Sequence, residues 1–118
     1  MATLTPQQIS KAGILDLNGA LAAADVAGDA VRAAGGLLIV MENLDVAPHT
    51  LTIAAPAATA NCGNLGDLAV AAIALVVAAG DTGLLHVPAG YVDSSNNFTW
   101  TYDAVTTVSI GVFSLSNG

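Results

Sequence analysis

A chain of 118 residues supplies one domain and not two. At this size roughly two-thirds of the unfolded surface can be buried, so the fold requires neither a metal nor a disulfide. Hydrophobic residues make up 54% and charged residues 9%, against about 25% charged in an ordinary soluble domain. Nine acids face only Lys11 and Arg32, a net charge of −7, which excludes a phosphate-binding footprint and an anionic membrane as expected partners.

Such a composition leaves a surface of Ala, Gly, Ser, Thr and Asn, which loses little side-chain entropy when an assembly covers it. Residues 1–12 read as an extended arm, with a short helix capped by Thr5 at Pro6 as the alternative. Terminal segments of this kind order only when a partner fixes them. Leu4, Pro6 and Ile9 are its candidate assembly contacts; burying a side chain such as Leu4 or Ile9 contributes about 1.5–3 kcal/mol. Residues 13–118 read as the folded domain. Over Asn18 to Ala34 the glycines and aspartates favour a helical turn at Ala20 to Ala24 and a strand at Asp29 to Ala33, with a single helix from Leu17 as the alternative.

The clearest local pattern runs from Gly35 to Pro56. Leu37 to Glu42 is an apolar strand closed by Asn43, and Asn43 to Pro48 carries turn chemistry. In Thr50 to Ala54, hydroxyl and apolar residues alternate, placing Leu51 and Ile53 on one face. Ala57 to Asp67 reads as a loop. Ala71 to Val77 suits a helix by its alanines, but its Ile-Leu-Val-Val end and the Gly80-Asp81 turn favour a strand at Ile73 to Val77. Thr82 to Val87 is a strand stopped by Pro88, Tyr91 and Val92 suggest a brief pairing, and Asp93 to Asn97 is a turn. Phe98 to Asp103 alternates aromatics with threonines. Thr106 to Leu115 closes the chain with Val108, Ile110 and Val112 on one face and Ser109, Gly111 and Phe113 on the other. The sum is an all-β domain: a single antiparallel β-sandwich or jelly-roll-like small barrel of about 6–8 short strands.

No residue set announces a chemistry. Cys62 stands alone, which rules out an internal disulfide. Asp81-Thr82-Gly83 matches the aspartic-protease triplet, in which two aspartates share a proton. Leu84 follows it, however, and little chain remains to supply a flap, so a turn between strands is the expected structure. His49 and His86 lack zinc-ligand spacing and read as structural or surface residues. Glu42, Asp45, Asp67, Asp93 and Asp103 fall at turns or strand ends, where capping is the usual role. Glu42, Asn43, Asp45 and His49 gather at one turn and read as turn chemistry or an assembly contact. Phe98, Trp100 and Tyr102 suit a core or subunit contact, with a sugar-stacking face as the alternative. There is no visible secretory signal, and the run Leu68 to Gly80 is too short to span a bilayer, so the Asn97-Phe98-Thr99 sequon reads as incidental. The expectation is no enzyme, no cofactor and no metal.

Leu38-Ile39-Val40-Met41-Glu42-Asn43 followed by Pro48-His49-Thr50-Leu51-Thr52-Ile53 resembles the strand-turn-strand of small β-sandwich virion proteins from tailed bacteriophages. Val87-Pro88-Ala89-Gly90, the turn from Tyr91 to Asn97, Thr101-Tyr102 and the terminal Thr107 to Phe113 are similar to later elements of that family. Gly13-Ile14-Leu15-Asp16-Leu17 resembles its passage from arm to fold. The Ala-rich Ala69 to Ala79 departs from it. The resemblance implies a capsid decoration (cement) protein. Such a protein binds the major capsid protein on the outside of a phage head, often as a homotrimer, and is made in the host cytoplasm. Another phage structural subunit (tail, head-completion or fibre base) and a carbohydrate-binding or adhesive module are the alternatives.

Overall fold

A computed structural model of the chain describes residues 2–10, 13–54, 59–61, 67–69, 71–93 and 95–115. The strands in chain order are β1 (Ala2–Leu4), β2 (Gln7–Ile9), β3 (Ala22–Ala23), β4 (Asp29–Arg32), β5 (Leu37–Asn43), β6 (His49–Ile53), β7 (Thr59–Asn61), β8 (Asp67–Ala69), β9 (Ile73–Val77), β10 (Thr82–His86), β11 (Asn97–Tyr102) and β12 (Val108–Leu115). One sheet runs β1-β4-β11-β6-β9; the other runs β10-β5-β12-β2, with β3 added beside β12. The two pack face to face as an open sandwich rather than a closed barrel. The strands outnumber the expected six to eight. The sheets are also mixed, because β1 joins β4 and β2 joins β12 in parallel.

Period two decides what each strand buries. Along β5, Leu37, Ile39 and Met41 point inward and are almost fully buried. They sit opposite Ser114, Val112 and Ile110 of β12 in the antiparallel ladder. From the other sheet come Leu51 and Ile53 of β6, Val31 of β4, Val77 of β9, and Phe98 and Trp100 of β11. Thr50 and Thr52 lie on the outer face of β6, as their alternation requires. Val108, Ile110 and Val112 share the core face of β12. Phe113 is also buried, but on the opposite face. A side chain at Gly111 would meet Leu21 Cδ2 at 2.6 Å and the Phe113 ring at 3.1 Å, so the missing Cβ lets these two residues pack outside the second sheet.

The ambiguous segments resolve as follows. Asn18–Ala20 is one 3₁₀ turn, and β3 and β4 follow it, so no long helix forms between Leu17 and Ala34. Ile73–Val77 is a strand. Ala89–Tyr91 is a 3₁₀ turn, in place of the expected pairing of Tyr91 and Val92. β7 falls within the expected Ala57 to Asp67 loop and pairs with β8, which begins at the last residue of that loop, as a separate two-stranded ladder; Cys62 lies outside the described residues.

The arm lies along one lateral side of the sandwich. β1 extends the first sheet, Thr5-Pro6 crosses over, and β2 extends the second. Leu4 packs against the core, Pro6 and Ile9 are half-buried, and the Gln7 amide donates to the Ala20 carbonyl at 2.8 Å.

Gly28, just before β4, has φ +99°, and a Cβ there would sit 2.5 Å from the Trp100 carbonyl oxygen. Gly28→Ala therefore meets both a disfavoured backbone and a fixed main-chain atom. It should lower the unfolding free energy by at least about 1–3 kcal/mol, read as a shifted midpoint in urea denaturation. An unchanged midpoint would contradict this packing.

Candidate functional site

The densest polar constellation lies at one end of the sandwich, where β5 turns into β6 and β11 ends. Period two points Asn43 inward with Leu37, Ile39 and Met41, so a fully buried amide must find partners. It finds them in the turn. Asn43 Nδ2 donates to the carbonyls of Ala47 at 2.9 Å and Val77 at 3.0 Å, and Oδ1 accepts the Asp45 N–H at 3.0 Å. Its main chain pairs with Asp81 and Gly80. Asn43 thereby fastens the β5–β6 loop to the β9–β10 turn.

The next inward residue is His49, 6% exposed. Its Nε2 lies 2.7 Å from Asp45 Oδ2 and its Nδ1 3.2 Å from Asp103 Oδ1. Both ring nitrogens face carboxylate oxygens, which only accept, so the ring suits the doubly protonated form. The hydrogen bond to Asp45 raises the His49 pKa above 6.5; burial opposes this and Asp103 adds to it. The bond to His49, then the Val46 N–H, holds Asp45 below the usual carboxylate range. At Asp103 partial burial works against the charge, but the N–H groups of Thr50 and Ala104 and the His49 ring outweigh it. With both nitrogens engaged, His49 has no free lone pair to act as a general base or metal ligand. Among the described residues no group of three His, Cys, Asp or Glu could hold a metal ion.

A second polar chain runs through the core. Trp100 Nε1–H donates to Tyr102 Oη at 2.8 Å, and Tyr102 Oη–H donates to Asp29 Oδ2 at 2.6 Å. Asp29 is 1% exposed, and its Oδ1 is a buried acceptor with no hydrogen-bond partner among the described residues. Burial, then the bond to Asp29, pushes the Tyr102 hydroxyl pKa up. The indole of Trp100 is buried, so it presents no ring face on which a sugar could stack. A cleft of about 230 Å³ beside Thr52, Tyr91, Asp93 and Thr99 is smaller than the roughly 300–1,000 Å³ of typical ligand pockets. Its one carboxylate is already spent: Asp93 accepts from the N–H groups of Asn97 and Ser95 and the Thr99 hydroxyl.

The remaining candidates are scattered. Asp81 is exposed in the β9–β10 turn, His86 is exposed at the end of β10, and Leu4, Pro6 and Ile9 lie along the arm on the opposite side. Glu42 does not join Asn43, Asp45 and His49, because it alternates to the outer face of β5.

Opposite the arm, β9 ends the first sheet and β10 ends the second, and among the described residues no further strand pairs with either. Neither strand contains a charged residue or a proline, the usual protections of a free edge. Val76 is 65% and Leu84 61% exposed. Sequence reasoning assigned these strands but not their edge positions, which follow from topology alone. No protein-family model matches the chain, and comparison with curated proteins and with solved structures returns no match.

Two outcomes are expected. Tyr102→Phe removes an acceptor from buried Trp100 and a donor from buried Asp29, at a cost of about 1–3 kcal/mol, measured by chemical denaturation. The His49 contribution to stability is complete below pH 6.5 and is lost as pH rises through the raised folded-state value. Those of Asp45 and Asp103 are present above pH 3.8 and lost as pH falls through their depressed values. Thermal melts should show wild type losing stability above pH 6.5 relative to His49→Gln.

Proposed function

We propose that the chain is a structural virion protein: a capsid decoration (cement) protein that binds the outside of a phage head and stabilises its shell. Its partners are the major capsid protein and further copies of itself, with a trimer favoured. It is made in the host cytoplasm and resides on the capsid surface. The observation that carries this reading is the uncharged double edge of β9 and β10 (Ile73–Val77 and Thr82–His86). A free monomer with two such edges side by side is exposed to uncontrolled strand pairing, whereas an assembly subunit uses them as contacts. The sparse charge of the chain and the resemblance of Leu38–Ile53 to phage virion strands support the same reading. None of these features requires a cofactor or an active site.

Shells stripped of this protein should bind the purified chain and withstand higher temperature once it is bound. A Val76→Lys, Leu84→Lys double variant, which places charge on both edges without touching the core, should stay folded and lose assembly. Failure of folded wild-type protein to bind such shells would refute the proposal.

A further inference from the structure

The Asp45–His49–Asp103 cluster does more than stabilise a turn. Between Asn43 and His49 the loop exposes Leu44 (62%) and Val46 (94%), two large apolar side chains on neighbouring backbone. Asp45, between them, is turned inward onto the ring. One carboxylate thus decides how the tip carrying Leu44 and Val46 is held.

The two carboxylates on the ring are not anchored equally. Asp103 Oδ1 accepts the N–H groups of Thr50 at 3.0 Å and Ala104 at 2.7 Å as well as the ring. It is fixed to β6 and to its own turn. Asp45 is held by the ring and by the adjacent Val46 N–H at 2.8 Å, a contact internal to the loop. Among the described residues Asp45 and Asp103 are the charged groups that act on the ring; Val77 faces His49 from β9, and Asp81 meets the Asn43 main chain through its backbone carbonyl.

We propose that Asp45, His49 and Asp103 form a proton-operated latch on the Leu44–Pro48 loop, closed while His49 carries both ring protons and opened by loss of the Nε2 proton. The neutral ring keeps Nδ1–H on the backbone-anchored Asp103 and turns a bare Nε2 lone pair toward Asp45. That contact is repulsive, and the loop-borne carboxylate moves out to water, where its charge is solvated. Asn43 still holds the base of the loop through the Asp45 N–H and the Ala47 carbonyl, so the freedom gained is at the tip, at Val46. The raised pKa of His49 places the opening above pH 6.5. The latch is argued from this geometry and is independent of the capsid reading.

The test is NMR of the full-length chain from pH 5.5 to 9, following the His49 Cε1–H shift and Val46 amide exchange corrected for its intrinsic pH dependence. His86→Gln removes the other imidazole signal and assigns the resonance. Wild type should titrate His49 above pH 6.5 and lose Val46 protection at the same midpoint, with core amides of Ile39 and Val112 unchanged. Asp45→Ala, which removes both carboxylate oxygens, should leave Val46 unprotected at all pH values and shift the His49 midpoint downward. If Val46 protection is flat through the His49 titration, or if Asp45→Ala leaves both the protection and the midpoint as in wild type, the latch is wrong.

Discussion

The ladder between β5 and β12 pairs all of Leu37 to Asn43 with Val108 to Ser114 and so sets the phase of the second sheet. A slip of one residue would turn Leu38, Val40 and Glu42 into the core and expose Leu37, Ile39 and Met41. Each of those three contributes about 1.5–3 kcal/mol through burial, so the phase is strongly specified. The same phase drives Asn43 inward. An amide there must be satisfied, and among the described residues it is satisfied by Asp45 and Ala47 of the β5–β6 loop and by Val77 at the end of β9. Packing in the middle of the strand thus dictates the polar architecture at its end, including the position from which Asp45 meets His49.

The two lateral sides of the sandwich are treated differently. On one, the chain's own N-terminal segment extends both sheets and covers the edges of β4 and β12, with Pro6 at the crossing where no ladder donor is needed. On the other, β9 and β10 end their sheets with apolar, uncharged strands. In the proposed assembly the second side meets a neighbour, and the low charge of the chain removes the desolvation cost that ionic groups would bring to that contact. Neither edge strand carries Asp, Glu, Lys or Arg, so shape and strand pairing have to supply specificity there.

Much of this was legible in the residues. Wherever a strand alternated, as in Thr50 to Ile53, Phe98 to Tyr102 and Val108 to Val112, its buried face could be read directly, because a half-buried strand must alternate. Ile73 to Val77 was legible from its branched end despite the alanines before it. The arm strands were not, since three residues such as Ala2-Thr3-Leu4 or Gln7-Gln8-Ile9 carry no period and their partners lie far along the chain. The site was half legible. Glu42, Asn43, Asp45 and His49 read as one cluster in the sequence; the structure keeps the last three together, and strand alternation puts Glu42 on the other face of β5. Asp103 is 54 residues from His49 and meets it only because β11 lies beside β6. Nothing local marks Asp29 as buried, and its one strong partner, Tyr102, is 73 residues away.

If, as proposed, copies of the chain and a shell cover β9 and β10, the mass of the purified protein in solution at micromolar concentration reveals it. Sedimentation equilibrium should give a stable oligomer, with three times the chain mass favoured. A folded monomer that remains monomeric across the concentration range would contradict the account, because β9 and β10 would then be free edges that the protein tolerates rather than contacts that it uses.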